Sequence, residues 1–203
     1  MEQQAPRRPT RERILDAAHE LMRTLGLARA TTKEIAKAAD CSEAALYKYF
    51  SSKEDLFVRV LQERLPRLGP ALHRLVDAPG ERTVEENLTE VATLACQFYA
   101  ESFPIAASLY AETKLKARHE DALRQMGTGP HMPIEALDAY LRAERDAGRI
   151  AADADTFAAA SLLLGACAQR AFAYDATVGK RPPLPVDAFA TGLARTLLAG
   201  ISR

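Results

Sequence analysis

Cysteine is scarce in this 203-residue chain, and the three that occur, Cys41, Cys96 and Cys167, are far apart and set among apolar residues. An odd, scattered set excludes a disulfide framework and reads as reduced core thiols. Net charge is also missing: 27 basic residues balance 27 acidic ones, which argues against a bulk polyanion binder. No run of about 18 apolar residues and no signal peptide is evident, so the expectation is a soluble, cytoplasmic protein. The four histidines, His19, His73, His119 and His131, form no ligand spacing with cysteine or with one another. There is no glycine-rich phosphate loop and no Gly-x-Ser-x-Gly elbow. His119-Glu120-Asp121 points its side chains in different directions on a helix, as a solvated charged face does. The expectation is therefore no enzyme, no catalytic residue, no metal and no cofactor.

What the chain does carry is concentrated between Thr31 and Lys53. Thr31 with Glu34 makes a capping box that opens one short helix, and Ser42, after the Asp40-Cys41 turn, caps a second. Ile35, Ala36 and Ala39 share one face of the first helix, and Leu46 and Phe50 lie one turn apart on the second. Opposite Leu46 and Phe50 stands Lys48, flanked by Ala44 and Ala45, with Tyr47 and Tyr49 at the edges. Such a face suits a groove, because alanines permit close backbone approach and the hydroxyls reach phosphates on either side. Residues 1 to 55 hold ten basic against nine acidic side chains, so DNA binding must rest on where charges sit. Glu43, at the start of the second helix, reads as an acid favouring a helix N-terminus.

These residues resemble the tetracycline-repressor-like (TetR) family of bacterial transcription regulators. Thr32, Ile35-Ala36, Ser42, Leu46-Tyr47, Tyr49-Phe50, Ser52-Lys53 and Leu56 follow the family pattern in register without a gap, and the resemblance covers roughly residues 10 to 56. Asp40 stands where the family usually has a turn glycine, Cys41 where it has valine and Ala44 where glycine is common. The reading is that Thr32, Tyr47, Tyr49 and Lys53 hold phosphates while Lys33, Ala44, Ala45 and Lys48 lie near base edges. For Lys53, a cation in a first helical turn that opposes the macrodipole, the phosphate role leans on the resemblance.

An all-α, two-domain chain is expected: a three-helix head over residues 1–56, with residues 1–9 a flexible arm, and a helical ligand-binding and dimerisation domain over 57–203. Thr10 is expected to cap a helix to about Leu25, stopped by Gly26, and Ser52 to cap another that breaks at Pro66 and Gly69-Pro70. Beyond Arg82 the pattern is helical: about Thr83 to Ser102, Pro104 to about Ala117, a short piece to Met126, Pro133 to Ala147, Asp155 to about Ala176, and Pro185 to about Ile201. The last two are apolar on too many sides for one core, which points to a second copy of the chain. The resemblance implies a small-molecule pocket in the second domain, for which Phe98, Tyr99, Tyr110, His131, Tyr140 and Cys167 are the candidates. The expected function is a homodimeric repressor on a palindromic double-stranded DNA operator, modulated by a small effector. Alternatives are a helical small-molecule binder or enzyme with a structural head, and a regulator without an effector.

Overall fold

A computed structural model describes residues 8–111, 113–175 and 182–201, with the side chains of 108–111 and 175 outside that description. Most of the expected 1–9 arm therefore lies outside the described residues, as does 176–181. Among those described there is no strand. The helices are α1 (Thr10–Leu25), α2 (Thr32–Ala38), α3 (Glu43–Leu46), α4 (Lys53–Glu63), α5 (Leu68–Asp77), α6 (Val84–Ala111), α7 (Thr113–Met126), α8 (Met132–Asp146), α9 (Thr156–Arg170) and α10 (Val186–Ile201), with a π-helical turn over Ala171–Asp175 after α9.

Helix ends follow the local chemistry at most of the expected places. Thr31 and Glu34 form both bonds of the capping box, Ser42 accepts from the Ala45 amide, and Ser52 accepts from the Asp55 amide. The start of α1 is different: Thr10 is already helical and Pro9 is the cap, with no side-chain bond. Gly26, at φ 77, ends this helix in a conformation that costs glycine little. The break near Pro66 falls between Glu63 and Leu68, whereas Gly69 and Pro70 stand inside α5, where a first-turn proline gives up an amide that has no helical partner anyway.

A larger departure concerns Pro104, expected to open a helix. Instead α6 runs unbroken from Val84 to Ala111. Proline removes the amide that would bond to the carbonyl of Ala100, but buried Ser102 and Ile105 hold the segment on either side, and tertiary packing overrides the local penalty. Thr83 and Glu86 form a second capping box at its start, the Glu86 amide meeting Thr83 Oγ1 at 3.2 Å.

Two compact units result, and they are drawn differently from the expected division at 56/57: the first combines residues 1–65 with 104–127, the second 66–103 with 128–203. In the first unit α1 packs on α2 and α4, α2 on α3, and α4 on α7. Its interior holds Ile14, Leu15, Met22, Leu46, Phe50 and Phe57, all essentially unexposed. Each such side chain contributes about 1.5–3 kcal/mol of burial. Ion pairs explain why α4 goes whole with this unit. Arg11 meets Glu63 through two bonds of 2.6 and 2.8 Å, and Arg64 reaches Asp16 at 2.8 Å and Glu12 at 2.5 Å, tying α4 to α1. The Arg11 guanidinium holds the Glu63 carboxyl below its ordinary range. His119 on α7 packs its ring 5.0 Å from that of Phe57, and burial pushes its pKa down.

In the second unit α8 packs on α5 and α9, and α9 on α10. The core joins Leu88, Val91, Leu137, Leu141, Leu163, Leu164 and Ala194. The segment Thr156–Tyr174, with mean hydropathy 1.2, is the one described stretch apolar enough to span a membrane by length and composition, and 44% of it is buried within the chain. That corrects the expectation of no such run, in the form of a core helix.

Candidate nucleic-acid interface

The turn between α2 and α3 is built from backbone upward. Asp40 adopts φ 50, the left-handed conformation that the resemblance associates with glycine, and short polar side chains enter it at modest cost. The Asp40 amide bonds to the Lys37 carbonyl at 3.1 Å and that of Cys41 to the Ala36 carbonyl at 3.0 Å. From α1, Arg13 Nη1 donates to the carbonyls of Ala39 at 2.5 Å and Asp40 at 3.2 Å, so the carbonyls at the end of α2 are satisfied by a side chain 26 residues away.

Leu46 and Phe50 fill the core, 0% and 1% exposed, while Tyr47 and Tyr49 are each 48% exposed, and Ala44 and Lys48 are exposed beside them. Ala45 is half-buried. This is the expected face with one change: the regular helix stops at Leu46, and residues up to Phe50 close a tighter turn in which the Lys48 amide meets the Ala45 carbonyl and that of Tyr49 meets Leu46. Bonds from i to i+3 draw the tyrosines around the end of the helix.

Thr32 and Lys53 have partners of their own. Thr32 Oγ1 donates to Glu43 Oε1 at 2.5 Å, which joins α2 to α3 and gives Glu43 a structural role beyond its place in the first turn of α3. Lys53 Nζ donates to the Ala28 carbonyl at 3.2 Å and lies near Glu34, whose carboxyl is held below its ordinary range first by the Thr31 hydroxyl. Lys33 is exposed on the rim of an open hollow shared with Lys37, Asp40 and Cys41. Neither the Thr32–Glu43 bond nor the Arg13 contacts carry a signal in the sequence.

The candidates for a small-molecule site separate in the second unit. Phe98, Tyr99 and Phe103 make a row of rings with centroids 5.5 Å apart at each step. Beside Tyr99 lies Cys167, whose thiol contacts that of Cys96 and the Ala92 carbonyl at 3.5 Å. Burial pushes the Tyr99 hydroxyl up to about 12. Tyr140 belongs to a different cluster. Fully buried, its hydroxyl accepts from Asn87 Nδ2 at 2.9 Å and meets Glu144, which Arg149 also pairs; burial again raises its pKa. His131 is not in an enclosed pocket: it sits exposed at the start of α8 because that residue is the helix N-cap. The side chain of Tyr110 lies outside the described residues.

Tyr140→Phe should lower stability by about 1–3 kcal/mol, because it leaves the buried Asn87 amide without its acceptor. Denaturant unfolding reads the change, and an unaltered midpoint contradicts the network.

A short helix, a left-handed turn and a second helix presenting an exposed small-residue face define a helix-turn-helix DNA-binding head. The comparisons with known proteins agree. Residues 14–60 match the family described as bacterial regulatory proteins, tetR family. It is 40% identical over 67 residues to YvkB, an uncharacterised helix-turn-helix-type regulator of Bacillus subtilis, a match covering 33% of this chain and 35% of that protein. The chain thus spans about a third of the length of this and similar curated relatives. A longer match, 26% identical over 162 residues and covering 79% of each chain, is to the regulator UidR of Escherichia coli. Among solved structures, Salmonella enterica GusR matches with TM-score 0.67 at 24% identity over 98% of this chain and 100% of that one. FadR of Bacillus subtilis, solved with stearoyl-CoA, matches with TM-score 0.63 at 20% identity over 94% and 98%.

Proposed function

We propose that the protein is a transcriptional repressor that binds a palindromic operator as a homodimer in the cytoplasm and releases it when a small molecule binds the second unit. One observation carries the reading: the exposed Ala44, Lys48, Tyr47 and Tyr49 face stands directly over a buried Leu46 and Phe50. A purely structural head has no use for such a face. Ala44, Ala45, Lys33 and Lys48 then approach base edges, and Tyr47, Tyr49, Lys53 and Thr32 serve the backbone. Thr32 acts mainly by fixing Glu43 and so the angle of α3.

A second copy is supported by the outer face of α9 and the π turn after it, where Phe157, Leu162 and Phe172 are 56, 64 and 58% exposed. An apolar stripe of that kind marks an interaction surface. Effector binding is supported by the polar groups enclosed in the second unit, and the domain roles follow: contact with DNA through the first unit, ligand and partner copy through the second.

Selection of binding sites from random duplex DNA tests the reading. The expected product is a palindrome whose half-sites are centred about 34–36 Å apart or a larger multiple, bound with an affinity that falls linearly in log salt. Retention of all sequences equally would sink it.

A further inference from the structure

Arg170, the last regular residue of α9, is 7% exposed. A guanidinium keeps its proton at any physiological pH, so the second unit holds a permanent buried cation. Its carbon stands 5.1 Å from the centroid of the Phe189 ring on α10. Among the described residues no carboxylate pairs with it, and its Nε–H is buried with no acceptor. The contrast with Glu144 is direct, since that buried acid has Arg149 for a counter-ion. A ring face recovers only part of what a buried ion loses in leaving water.

The surroundings are those of a site. Immediately after Arg170 the helix widens into the π turn of Ala171–Asp175, a deviation frequent at functional positions. One turn earlier Cys167 lies close enough to feel the guanidinium charge, and Cys167 in turn neighbours Tyr99 and its row of rings. Charge, aromatic surface and a break in helix geometry meet around Cys167.

We propose that Arg170 anchors the negative group of a small ligand, and that the ligand is a carboxylate joined to an apolar or aromatic body. The Nε edge of a guanidinium offers two parallel donors that match a carboxylate. One negative charge neutralises the one cation, whereas a phosphate dianion would leave a net charge buried. The body of the ligand lies against Tyr99 and its neighbouring rings. This deepens, and rests on, the reading of the second unit as an effector domain.

Calorimetry and thermal unfolding of the full chain with benzoate and octanoate, each beside its amide, test the assignment. At least one acid should bind and raise the melting temperature with concentration, while its amide does not. Arg170→Gln should weaken that acid at least tenfold, and Arg170→Lys, which keeps the charge without the two-donor edge, should fall between. If neither acid binds, or if both variants bind as the natural chain does, the assignment is overturned. Titrating the same acid into the protein–operator complex separates the two readings. An acid bound through Arg170 that leaves operator affinity unchanged removes the regulatory role and keeps the anion site. A neutral compound that shifts operator affinity while the acids do not bind removes the anion site and keeps the regulatory role.

Discussion

Leu162→Asp should leave the chain folded and take the dimer apart. The side chain is 64% exposed in the single chain, so an aspartate there costs the fold little. Ala158, Leu162, Gly165 and Gln169 on the exposed side of α9, and Phe172 in the π turn after it, follow each other at alternating steps of four and three, the spacing of a helix–helix seam. In a two-fold interface the substitution is buried in both copies, and an unpaired buried charge costs about 3–5 kcal/mol. The dimer dissociation constant should therefore rise by about a thousandfold or more. Sedimentation at micromolar concentration reads it directly. A natural chain that sediments as a monomer, or a variant that remains a dimer, excludes this face. Charging Leu197 would be a poorer test, since that residue is 8% exposed and belongs to the chain's own core.

Ala44→Phe should abolish recognition of the selected operator while sparing the fold. Ala44 is exposed in the first turn of α3, above the buried pair of Leu46 and Phe50. A benzyl group there holds the backbone away from the base edges, and a lost base contact is worth about 1–3 kcal/mol of discrimination. Because the change occurs in both half-sites, operator binding should fall by about 2–6 kcal/mol, while binding to random duplex changes little. Lys53→Ala should do the opposite: a uniform loss on all sequences, with the salt slope lowered by about one unit per phosphate contact released. Equal losses on operator and random DNA for both variants would refute the division between base-facing and phosphate-facing residues.

Signals that act over three or four residues are legible in the amino-acid order itself. The Thr31–Glu34 box, the Ser42 and Ser52 caps and the Leu46–Phe50 pair each complete their geometry within one or two turns, so the sequence carries the instruction whole. What escapes depends on partners far along the chain. Arg11 and Glu63 are 52 residues apart and Arg13 reaches across 26, and no periodicity announces either. Pro104 misleads because its local penalty is real and tertiary packing outweighs it. In the second unit, residue type alone is too coarse a criterion for a ligand site. Aromatics and thiols gather Phe98, Tyr99 and Cys167, but they also bring in Tyr140, which lies in another cluster, and a lone imidazole brings in His131, which lies on the surface. Arg170 reads in sequence as one of few polar groups on an apolar helix. Its meaning emerges only when burial raises the question of a counter-ion.

The first unit draws on two stretches of chain, and that bears on the order in which it is made. Leu27 gives its amide to the Ile105 carbonyl at 3.2 Å, Glu54 pairs with Arg118 at 3.1 Å, and Phe57 rests on His119. During synthesis the residues up to 65 emerge first, yet the last of these partners is not available until residue 119 has followed. At about 5–20 residues per second the interval is several seconds. Through that time the α4 surface with Phe57 waits uncovered, and a nascent chain halted after α6 begins would carry a DNA-binding head whose packing is incomplete.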